Sequence, residues 1–403
     1  HCDQWDNGRN VSLLFSTQSS DTKEVGARQE RGVRVTRLHL MMTASLTLVV
    51  AIAPWLWSRG DAPPRSHMAA DHVLGNWLWW DGGWYLNIAQ HGYSFHPHQQ
   101  SSVAFFPVYP MTVRVVGALL PGGIALAAIL VTVLGGLATL TLFQRWCQRR
   151  MSNGAASAAV LALALYPYAW FLYGAAYSDA VFLAATLLAF LLLEDDRPVA
   201  AGLAGIIATA ARPTGVVVII GLVAVMLERR GALANLRVRA RDWGVGLAAI
   251  GIAAWCGWLA LRFGHPFAFI ETEGAKGWDR APGIAVWLKF DFFSSILHDP
   301  ASRWVPFAVQ AVVCGLFAAV IPAVNRRFGR GYAIYVAAAV LVPTVSTGDF
   351  MGTGRYLLAA FPVFALLGPA LAGAPRARWA YLSLSCLALG LGTSLFATGH
   401  LLT

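Results

Sequence analysis

Charged residues are scarce in this chain. They make up 12% of its 403 residues, while 57% of the residues are hydrophobic; a typical soluble domain carries about 25% charged residues. Together with a mean hydropathy of +0.57, this composition excludes a water-soluble enzyme and a disordered chain. Apolar runs close to the roughly 20 residues needed to cross a bilayer recur along almost the whole length. The sequence therefore predicts an all-α polytopic protein surrounded by membrane lipids.

Signatures of metal, nucleotide and disulfide chemistry are also missing. The five cysteines lie far apart, without a CxxC pair or a cysteine–histidine ligand spacing, which argues against a structural zinc and a disulfide framework. His91, His96 and His98 are neighbours, but no carboxylate or cysteine completes a regular spacing. A P-loop, a dinucleotide fingerprint and a serine-nucleophile elbow are absent from the sequence. We therefore expect no metal, no cofactor and no direct use of a nucleotide donor.

The positive charge follows the pattern of a membrane protein. The net charge of +10 comes from short basic clusters between apolar runs, so we expect no nucleic acid partner. The positive-inside rule assigns these clusters to the cytosol, and with them the N-terminus. Arginine far outnumbers lysine, as is typical of a GC-rich genome, which favours a bacterial plasma membrane.

Eleven spans fit the alternation of basic connections. They are 38–58, 122–143, 154–172, 178–193, 198–211, 213–227, 243–262, 303–323, 331–347, 355–372 and 379–399. Residues 103–120 are left out, because counting them would place every later basic cluster outside. Pro107, Pro110 and Arg114 in that segment favour an interfacial helix on the outer face instead. Residues 198–227 are interpreted as a tight pair of spans bent at Arg212-Pro213.

The sequence divides into a short tail and one membrane domain. Residues 1–36 are polar, which predicts a disordered cytosolic tail, and they lack the apolar core of a cleavable signal peptide. Residues 37–403 form a single membrane-embedded domain without an internal repeat. Its two large outer loops, 59–121 and 263–302, contain most of the remaining carboxylates and many tryptophans. Any chemistry is therefore expected on the extracytoplasmic side.

The densest motif is Trp77-Leu-Trp-Trp-Asp-Gly-Gly-Trp-Tyr85, which follows the first span. Aromatic neighbours lower the local dielectric around Asp81, which favours a general base. The faces of Trp80, Trp84 and Tyr85 suit sugar rings and lipid chains. The alternative is an interfacial aromatic belt with a capping aspartate, although such a belt does not require Asp-Gly-Gly at its centre.

Two further aromatic segments accompany this motif. Phe105-Phe-Pro-Val-Tyr109-Pro is either a rigid binding segment or a simple membrane anchor. The segment Tyr166–Asp179 brings a second outer carboxylate, Asp179, to a helix start. Asp179 either caps that helix or takes part in function. Trp278 lies in the second outer loop, after Phe263-Gly-His-Pro-Phe-Ala-Phe269.

Two arginines at the outer edge of the membrane are candidates for anion binding. Arg212 lies in Ala-Arg-Pro-Thr-Gly215 and Arg355 in Gly-Thr-Gly-Arg-Tyr356. Burying a charge at membrane depth is costly, so such residues tend to be functional. A guanidinium can bind phosphate through two parallel hydrogen bonds. The alternative for both is snorkelling to the headgroups.

Taken together, these motifs resemble the PIG-V-like mannosyltransferases. The resemblance begins with Trp80-Asp-Gly-Gly-Trp-Tyr-Leu-Asn-Ile-Ala-Gln-His-Gly-Tyr93 and Phe105-Phe-Pro-Val-Tyr-Pro110. It continues in order through Tyr166–Asp179, Arg212-Pro-Thr-Gly215, Gly264-His-Pro-Phe-Ala-Phe269 with Trp278, and Gly354-Arg-Tyr356, covering about residues 38–372. At Asp179 the family more often has glutamate.

The resemblance implies a GT-C membrane glycosyltransferase with a lipid-phosphate sugar donor. It also implies inverting transfer of mannose from a polyprenyl (dolichyl-type) phosphate to a hydroxyl of a lipid-linked or glycan acceptor, with Asp81 as the catalytic residue. We expect Arg355 and Arg212 to bind the donor phosphate. Substrate binding is predicted for six residues, namely Trp80, Trp84, Tyr85, Tyr109, Asp179 and Trp278. The alternatives are a lipid or solute transporter and a non-catalytic GT-C-like partner subunit.

Overall fold

Helices make up all the regular secondary structure of the described residues. The computed structural model describes residues 32, 34–60, 73–121, 123–231, 238–276, 278 and 283–400. The α-helices are α1 (Arg34–Leu56), α2 (Asp81–His91), α3 (Val108–Leu119), α4 (Gly123–Gln148), α5 (Asn153–Ala164), α6 (Asp179–Glu194), α7 (Pro198–Thr209), α8 (Val216–Arg230), α9 (Ile250–Phe263), α10 (Ala268–Glu273), α11 (Ile284–Trp287), α12 (Phe290–His298), α13 (Ala301–Ala319), α14 (Ile321–Phe328), α15 (Arg330–Val345), α16 (Thr353–Tyr356), α17 (Phe361–Gly373) and α18 (Pro375–Ala397). The predicted tail, 1–36, lies almost entirely outside the described residues.

Short 3-10 helices occur at several of the breaks between α-helices. They are Val73–Trp77, Ser102–Ala104, Ala169–Leu172, Pro213–Gly215, Ala240–Ala249 and Leu357–Ala359. Ala240–Ala249 continues directly into α9, and Leu357–Ala359 follows α16.

Five helical stretches of the described chain are long and apolar enough to cross a membrane. They are Arg34–Leu56, Gly123–Gln148, Ala240–Phe263, Ala301–Phe328 and Pro375–Ala397. A sixth is added if Thr353–Ala359 and Phe361–Gly373, which meet at 77°, form one bent span. The protein is thus a polytopic membrane protein, but the predicted count of eleven spans is not confirmed.

Helix length explains the difference in the count. The predicted spans between 154 and 227 contain helices of only 12, 16, 12 and 15 residues, and the predicted span 331–347 contains α15, of 16 residues. At 1.5 Å per residue none of them alone reaches across a hydrocarbon core of about 30 Å. Residues 103–120 contain α3, which at 12 residues is also too short to span, as predicted from its prolines.

Small residues let these helices approach closely. A Cβ atom added to Gly136 in α4 would lie 1.9 Å from the carbonyl oxygen of Leu172, and one added to Gly202 in α7 would lie 2.0 Å from that of Gly244. Neither position therefore has room for a side chain. Such contacts are the usual means of helix association in membranes, so the many glycines and alanines support a tight bundle.

The basic connections converge on one acidic turn. In this turn Asp195 lies 2.9 Å from Arg149 and Asp196 lies 2.6 Å from Arg230. The hydrogen bond from Arg230 lowers the pKa of Asp196 below its usual value. The basic connections after α4 and α8 thus lie together at one end of the bundle. This grouping agrees with the prediction that both connections lie on the same side of the membrane domain.

Candidate active site

Asp81 begins α2 at a strained turn. The preceding residue, Trp80, has a φ of 57°, a left-handed conformation that non-glycine residues rarely adopt and that clusters at functional sites. The backbone N–H of Asp81 donates to the Tyr177 hydroxyl at 3.1 Å, and this hydroxyl donates to the carbonyl of Trp79 at 3.2 Å. Tyr177 therefore fixes the turn that presents the Asp81 carboxylate, whose side chain is 35% exposed.

Arg355 is the partner of Asp81. Its Nη1 donates to Asp81 Oδ2 at 2.9 Å, and its Nη2 donates to the Tyr356 hydroxyl at 3.0 Å. The guanidinium is buried and lies over the rings of Tyr177 and Phe171, at 5.0 and 5.3 Å from their centroids. Aromatic faces attract a cation, which offsets part of the cost of burying Arg355.

Asp179 and Arg212 extend this pair into a chain of alternating charges. Arg212 donates to Asp179 Oδ1 in a buried ion pair, and the same oxygen lies 3.9 Å from Nε of Arg355. The guanidiniums of Arg212 and Arg355 both lie over the Tyr356 ring, at 4.7 and 4.8 Å. We call Asp81, Arg355, Asp179 and Arg212 the charged tetrad; its formal charge is zero.

Two atoms of the charged tetrad stay without a hydrogen bond among the described residues. They are Asp179 Oδ2 and Arg355 Nε, both buried. A buried carboxylate oxygen without a donor is costly, and such exceptions occur where a ligand or a water completes the network. The tetrad is thus a built polar site with one free acceptor and one free donor.

Breaks in the helices bring these four side chains together. Asp81 and Asp179 are the first residues of α2 and α6. Arg212 precedes the break at Pro213–Gly215, and Arg355 lies in the short helix α16. A side chain at a helix end can reach a neighbouring helix end without entering the apolar packing between helices, which is why four separate segments meet here.

A backbone clamp holds the segment that carries Arg355. The Tyr166 hydroxyl donates to the carbonyl of Gly354 at 2.9 Å, and the N–H of Gly354 donates to Gln310 Oε1 at 3.1 Å. A Cβ atom at position 354 would lie 2.5 Å from the Tyr168 ring, so only glycine fits. Gln310 and the hydroxyl of Tyr166 were not among the candidate residues predicted from the sequence. A lone glutamine inside the apolar run of α13 is the signal that would have found this contact; in the structure its side chain is fully buried.

The predicted aromatic residues divide into two groups. Trp84 lies 5.7 Å from Trp278 and 5.7 Å from Phe105, and Phe105 lies 5.8 Å from Trp278. This aromatic cluster joins the first and second predicted outer loops beside α2. Trp80 packs partly buried against the core and donates from Nε1 to the carbonyl of His400 at 3.3 Å.

Tyr85 and Tyr109 are buried instead. Tyr85 shares a hydrogen bond of 3.0 Å with Ser178, next to Asp179, and burial raises the pKa of its hydroxyl well above the usual value. The Tyr109 hydroxyl donates to the carbonyl of Ala128 at 2.8 Å and lies 2.9 Å from Thr132 Oγ1. Tyr85 therefore contacts the residue next to Asp179, and Tyr109 packs α3 on α4; their direct binding of substrate stays a prediction.

The described residues include no group of three or more histidine, cysteine, aspartate or glutamate side chains arranged to hold a metal ion. The acidic groups of the site are the two tetrad carboxylates, each paired with an arginine. The site therefore offers two carboxylates, two guanidiniums and an aromatic cluster, a set suited to proton transfer and to binding an anion.

The sequence profile of the family described as Mannosyltransferase (PIG-V) matches residues 41–241, which is about half of the chain. The chain belongs to the PIG-V mannosyltransferase family. The match includes Asp81, Asp179 and Arg212, whereas Arg355 lies outside it. The PIG-V chain is therefore a membrane glycosyltransferase. Among curated proteins, none is significantly similar to it in sequence.

Solved structures show the same type of fold. The apo structure of ArnT from Cupriavidus metallidurans matches with a TM-score of 0.51 and 15% identity, covering 90% of this chain and 76% of that one. ArnT bound to undecaprenyl phosphate matches with a TM-score of 0.49 and 16% identity, over 89% and 77% of the two chains. The apo oligosaccharyltransferase of Archaeoglobus fulgidus gives 0.45 and 15%, over 89% and 55%. The match to apo ArnT confirms the predicted GT-C fold.

Proposed function

We propose that this PIG-V family member transfers a mannosyl residue from a polyprenyl-phosphate-mannose donor of the dolichyl type. The acceptor is a hydroxyl of a lipid-linked or glycan molecule on the extracytoplasmic side, and the anomeric centre is inverted. Membership of the PIG-V family supports mannose as the transferred sugar. The absence of nucleotide-binding motifs from the sequence supports a lipid-borne donor. The observation that carries the proposal is the accessible Asp81 carboxylate, 2.9 Å from the buried guanidinium of Arg355.

In this proposal Asp81 is the general base. Its carboxylate accepts the proton of the acceptor hydroxyl while that oxygen forms a bond to the anomeric carbon. The bond between the anomeric carbon and the phosphate oxygen breaks, and the polyprenyl phosphate leaves with the electron pair. A base must lie within about 2.6–3.2 Å of the oxygen that it deprotonates. Asp81 is the more exposed of the two tetrad carboxylates, so an acceptor can approach it.

The two arginines stabilise the leaving phosphate. Negative charge on the phosphate increases as the glycosidic bond breaks, and cations that are already fixed in place stabilise it without reorganising. Asp179 fixes Arg212, and Tyr356 lies against both guanidiniums. The aromatic cluster of Trp84, Phe105 and Trp278 supplies flat apolar faces for the sugar ring or for the lipid.

The donor is tested with protein reconstituted in lipid vesicles. Radiolabelled polyprenyl-phosphate-mannose and GDP-mannose are offered separately, with a crude lipid extract as the source of acceptor. We expect label to enter a new product only from the lipid-phosphate donor. Transfer from GDP-mannose alone would overturn the proposal.

A second measurement separates the remaining alternatives. The donor lipid is expected to raise the thermal unfolding temperature of the protein, because the charged tetrad binds its phosphate. A raised temperature without transfer would indicate a binding subunit without chemistry, and label carried across the vesicle membrane without a new product would indicate a transporter. Either result contradicts the proposed reaction.

A further inference from the structure

Helix α12 (Phe290–His298), in the second predicted outer loop, is amphipathic. With 3.6 residues per turn, one side of the helix carries Phe290, Phe293, Ile296 and Leu297, which we call the apolar stripe. The other side carries Asp291, Ser294, Ser295 and His298. All four side chains of the apolar stripe are exposed, Leu297 at 77%. The exposed apolar surface continues backward through Ile284, Trp287 and Leu288.

Another side of α12 and the residue before the helix contact residues 344–350, the segment that leads to Arg355. Phe292 is buried, and its N–H donates to the carbonyl of Gly348 at 3.3 Å. Lys289, which precedes the helix, donates to the carbonyls of Thr344 and Thr347 at the end of α15. Its ammonium also lies 4.9 Å from the centre of the Phe350 ring. These contacts fix the orientation of α12 and therefore the direction in which the apolar stripe faces.

Backbone strain at Lys289 and Phe350, which contact each other, supports a fixed position for α12. Lys289 has a φ of 61° and Phe350 a φ of 66°, both in the left-handed region that bulky residues avoid. Such conformations persist only where the surroundings impose them. Here the surroundings are the backbone carbonyls after α15 and the buried Phe292.

The helix that follows α12 in the sequence, α13, indicates what covers the apolar stripe. Asp299 and Pro300 connect α12 directly to α13, the start of the candidate span Ala301–Phe328. Exposed apolar side chains in α13 recur on one face, at Val305, Val309, Val312 and Leu316, which is the pattern of a lipid-facing helix. Since α12 ends where this span begins and packs on it, the helix that carries the apolar stripe lies next to a helix with a lipid-facing pattern.

We propose that α12 is an interfacial helix whose apolar stripe inserts among the acyl chains of the membrane leaflet next to the charged tetrad. The polar side, with Ser294 and His298, then faces the aqueous phase, as in other helices that lie in a membrane surface. The bilayer is thus the partner of this face, and the second predicted outer loop is held between the membrane and the segment of Arg355.

The test is photo-crosslinking in phosphatidylcholine–phosphatidylglycerol vesicles. Benzoylphenylalanine replaces one residue at a time, at Leu297 in the apolar stripe, at Ser294 on the polar side, and at Val312 in the lipid-facing part of α13. All three side chains are exposed, so none of the replacements removes buried packing. After irradiation, intact-mass spectrometry counts covalent lipid adducts.

We expect lipid adducts at Leu297 at a level close to that at Val312, and at least fivefold fewer at Ser294. Equal labelling at Leu297 and Ser294, or no lipid at Leu297 while Val312 reacts, would overturn the proposal. A crosslink from Leu297 to a second copy of the chain would also overturn it, since that copy would then cover the stripe. The readout requires no glycosyl transfer and is independent of the proposed function.

Discussion

At the scale of single residues, the pair of Asp179 and Arg212 carries the largest stability prediction. Both side chains are buried, and removing one partner of a buried ion pair leaves an uncompensated charge, which costs roughly 3–5 kcal/mol. We expect Asp179→Ala to lower the free energy of unfolding in detergent by about that amount. The matched control is Asp299→Ala, whose exposed pair with Arg303 is worth about 0–1 kcal/mol. Equal losses in the two variants would contradict the buried pair.

Arg355 carries a prediction about donor binding. A lysine keeps the charge but presents a single ammonium, so it cannot bond Asp81 and the Tyr356 hydroxyl in the geometry of a guanidinium. A hydrogen bond to a charged group is worth about 1.5–3 kcal/mol, so Arg355→Lys is expected to raise the KM for the lipid donor on the order of tenfold or more. Arg303→Lys, at an exposed ion pair, serves as the control. Unchanged donor kinetics in Arg355→Lys would remove the phosphate-binding role.

The charged tetrad also leads to a prediction on metal removal. Arg355 and Arg212 supply two positive charges for the leaving phosphate, so the proposed reaction needs no divalent cation. Transfer rates in vesicles are expected to be unchanged after treatment with EDTA. Loss of transfer in EDTA that returns on addition of a divalent cation would contradict this assignment.

Residue types were predictable from the sequence, but their pairing was not. Asp81, Asp179, Arg212 and Arg355 were all selected as candidates from burial cost and neighbouring motifs. Asp81 and Arg355 are 274 positions apart, and Asp179 and Arg212 are 33 apart, and no local pattern encodes such contacts. For Asp179 the sequence left capping and function open. In the structure it pairs with Arg212, and Ser178, the residue before α6, makes no side-chain cap bond.

At the scale of elements, the short helix α16 depends on the clamp around Gly354. Removal of the Tyr166 hydroxyl leaves the Gly354 carbonyl without that donor, so the segment of Arg355 is expected to move relative to Asp81. We predict that Tyr166→Phe lowers kcat about tenfold, because a small misplacement of catalytic groups has a large effect on rate. Tyr166 is thus a positioning residue, and the KM for the donor should change less than kcat.

Tyr173→Phe is the matched control for the clamp. Tyr173 is equally buried, and its hydroxyl donates to the carbonyl of Ala164 at 2.8 Å, so its loss costs similar stability outside the segment of Arg355. We expect both variants to unfold at similar temperatures, with kcat lowered only in Tyr166→Phe. Equal kcat in the two variants would show that the clamp serves stability alone.

Helix boundaries show where sequence reasoning failed at this scale. The break at Arg212-Pro213 was predicted, because a single span over 198–227 would place the arginine-rich connection after it outside; proline and the residue before it also disfavour a continuous helix. The lengths of α6, α7 and α8 are close to those of the predicted segments 178–193, 198–211 and 213–227, and the error was to count such short segments as spans; only α5 is much shorter than its predicted span, 154–172. Hydropathy reports that a stretch is apolar, but it does not report where packing against neighbours ends a helix. Helices of 12–16 residues that are buried against other helices were therefore counted as complete spans.

At the scale of the whole molecule, the basic connections and the charged tetrad lie at different ends of the bundle. The arginine-rich connections meet the acidic turn 194–197 at the end of α6, whereas Asp179 of the charged tetrad begins the same helix. The alternation of basic connections along the sequence predicted that the connections after α4 and α8 lie on one side, and this grouping holds although the helices between them are shorter than full spans. The ArnT-like arrangement of helices could not be derived from the alternation of basic connections alone, because many other arrangements have the same alternation.

The central claim is that Asp81 is the base of a transfer from a lipid-phosphate sugar, and one comparison tests it most directly. Single-turnover transfer of radiolabelled mannose is measured in vesicles for wild type, Asp81→Asn and Asp299→Asn. Asp299 is a fair control, because its side chain is 31% exposed and pairs with an arginine, as the 35% exposed Asp81 does. General base catalysis contributes about 10²–10⁴-fold. We predict a loss of that size in Asp81→Asn and none in Asp299→Asn; full turnover by folded Asp81→Asn would contradict the account.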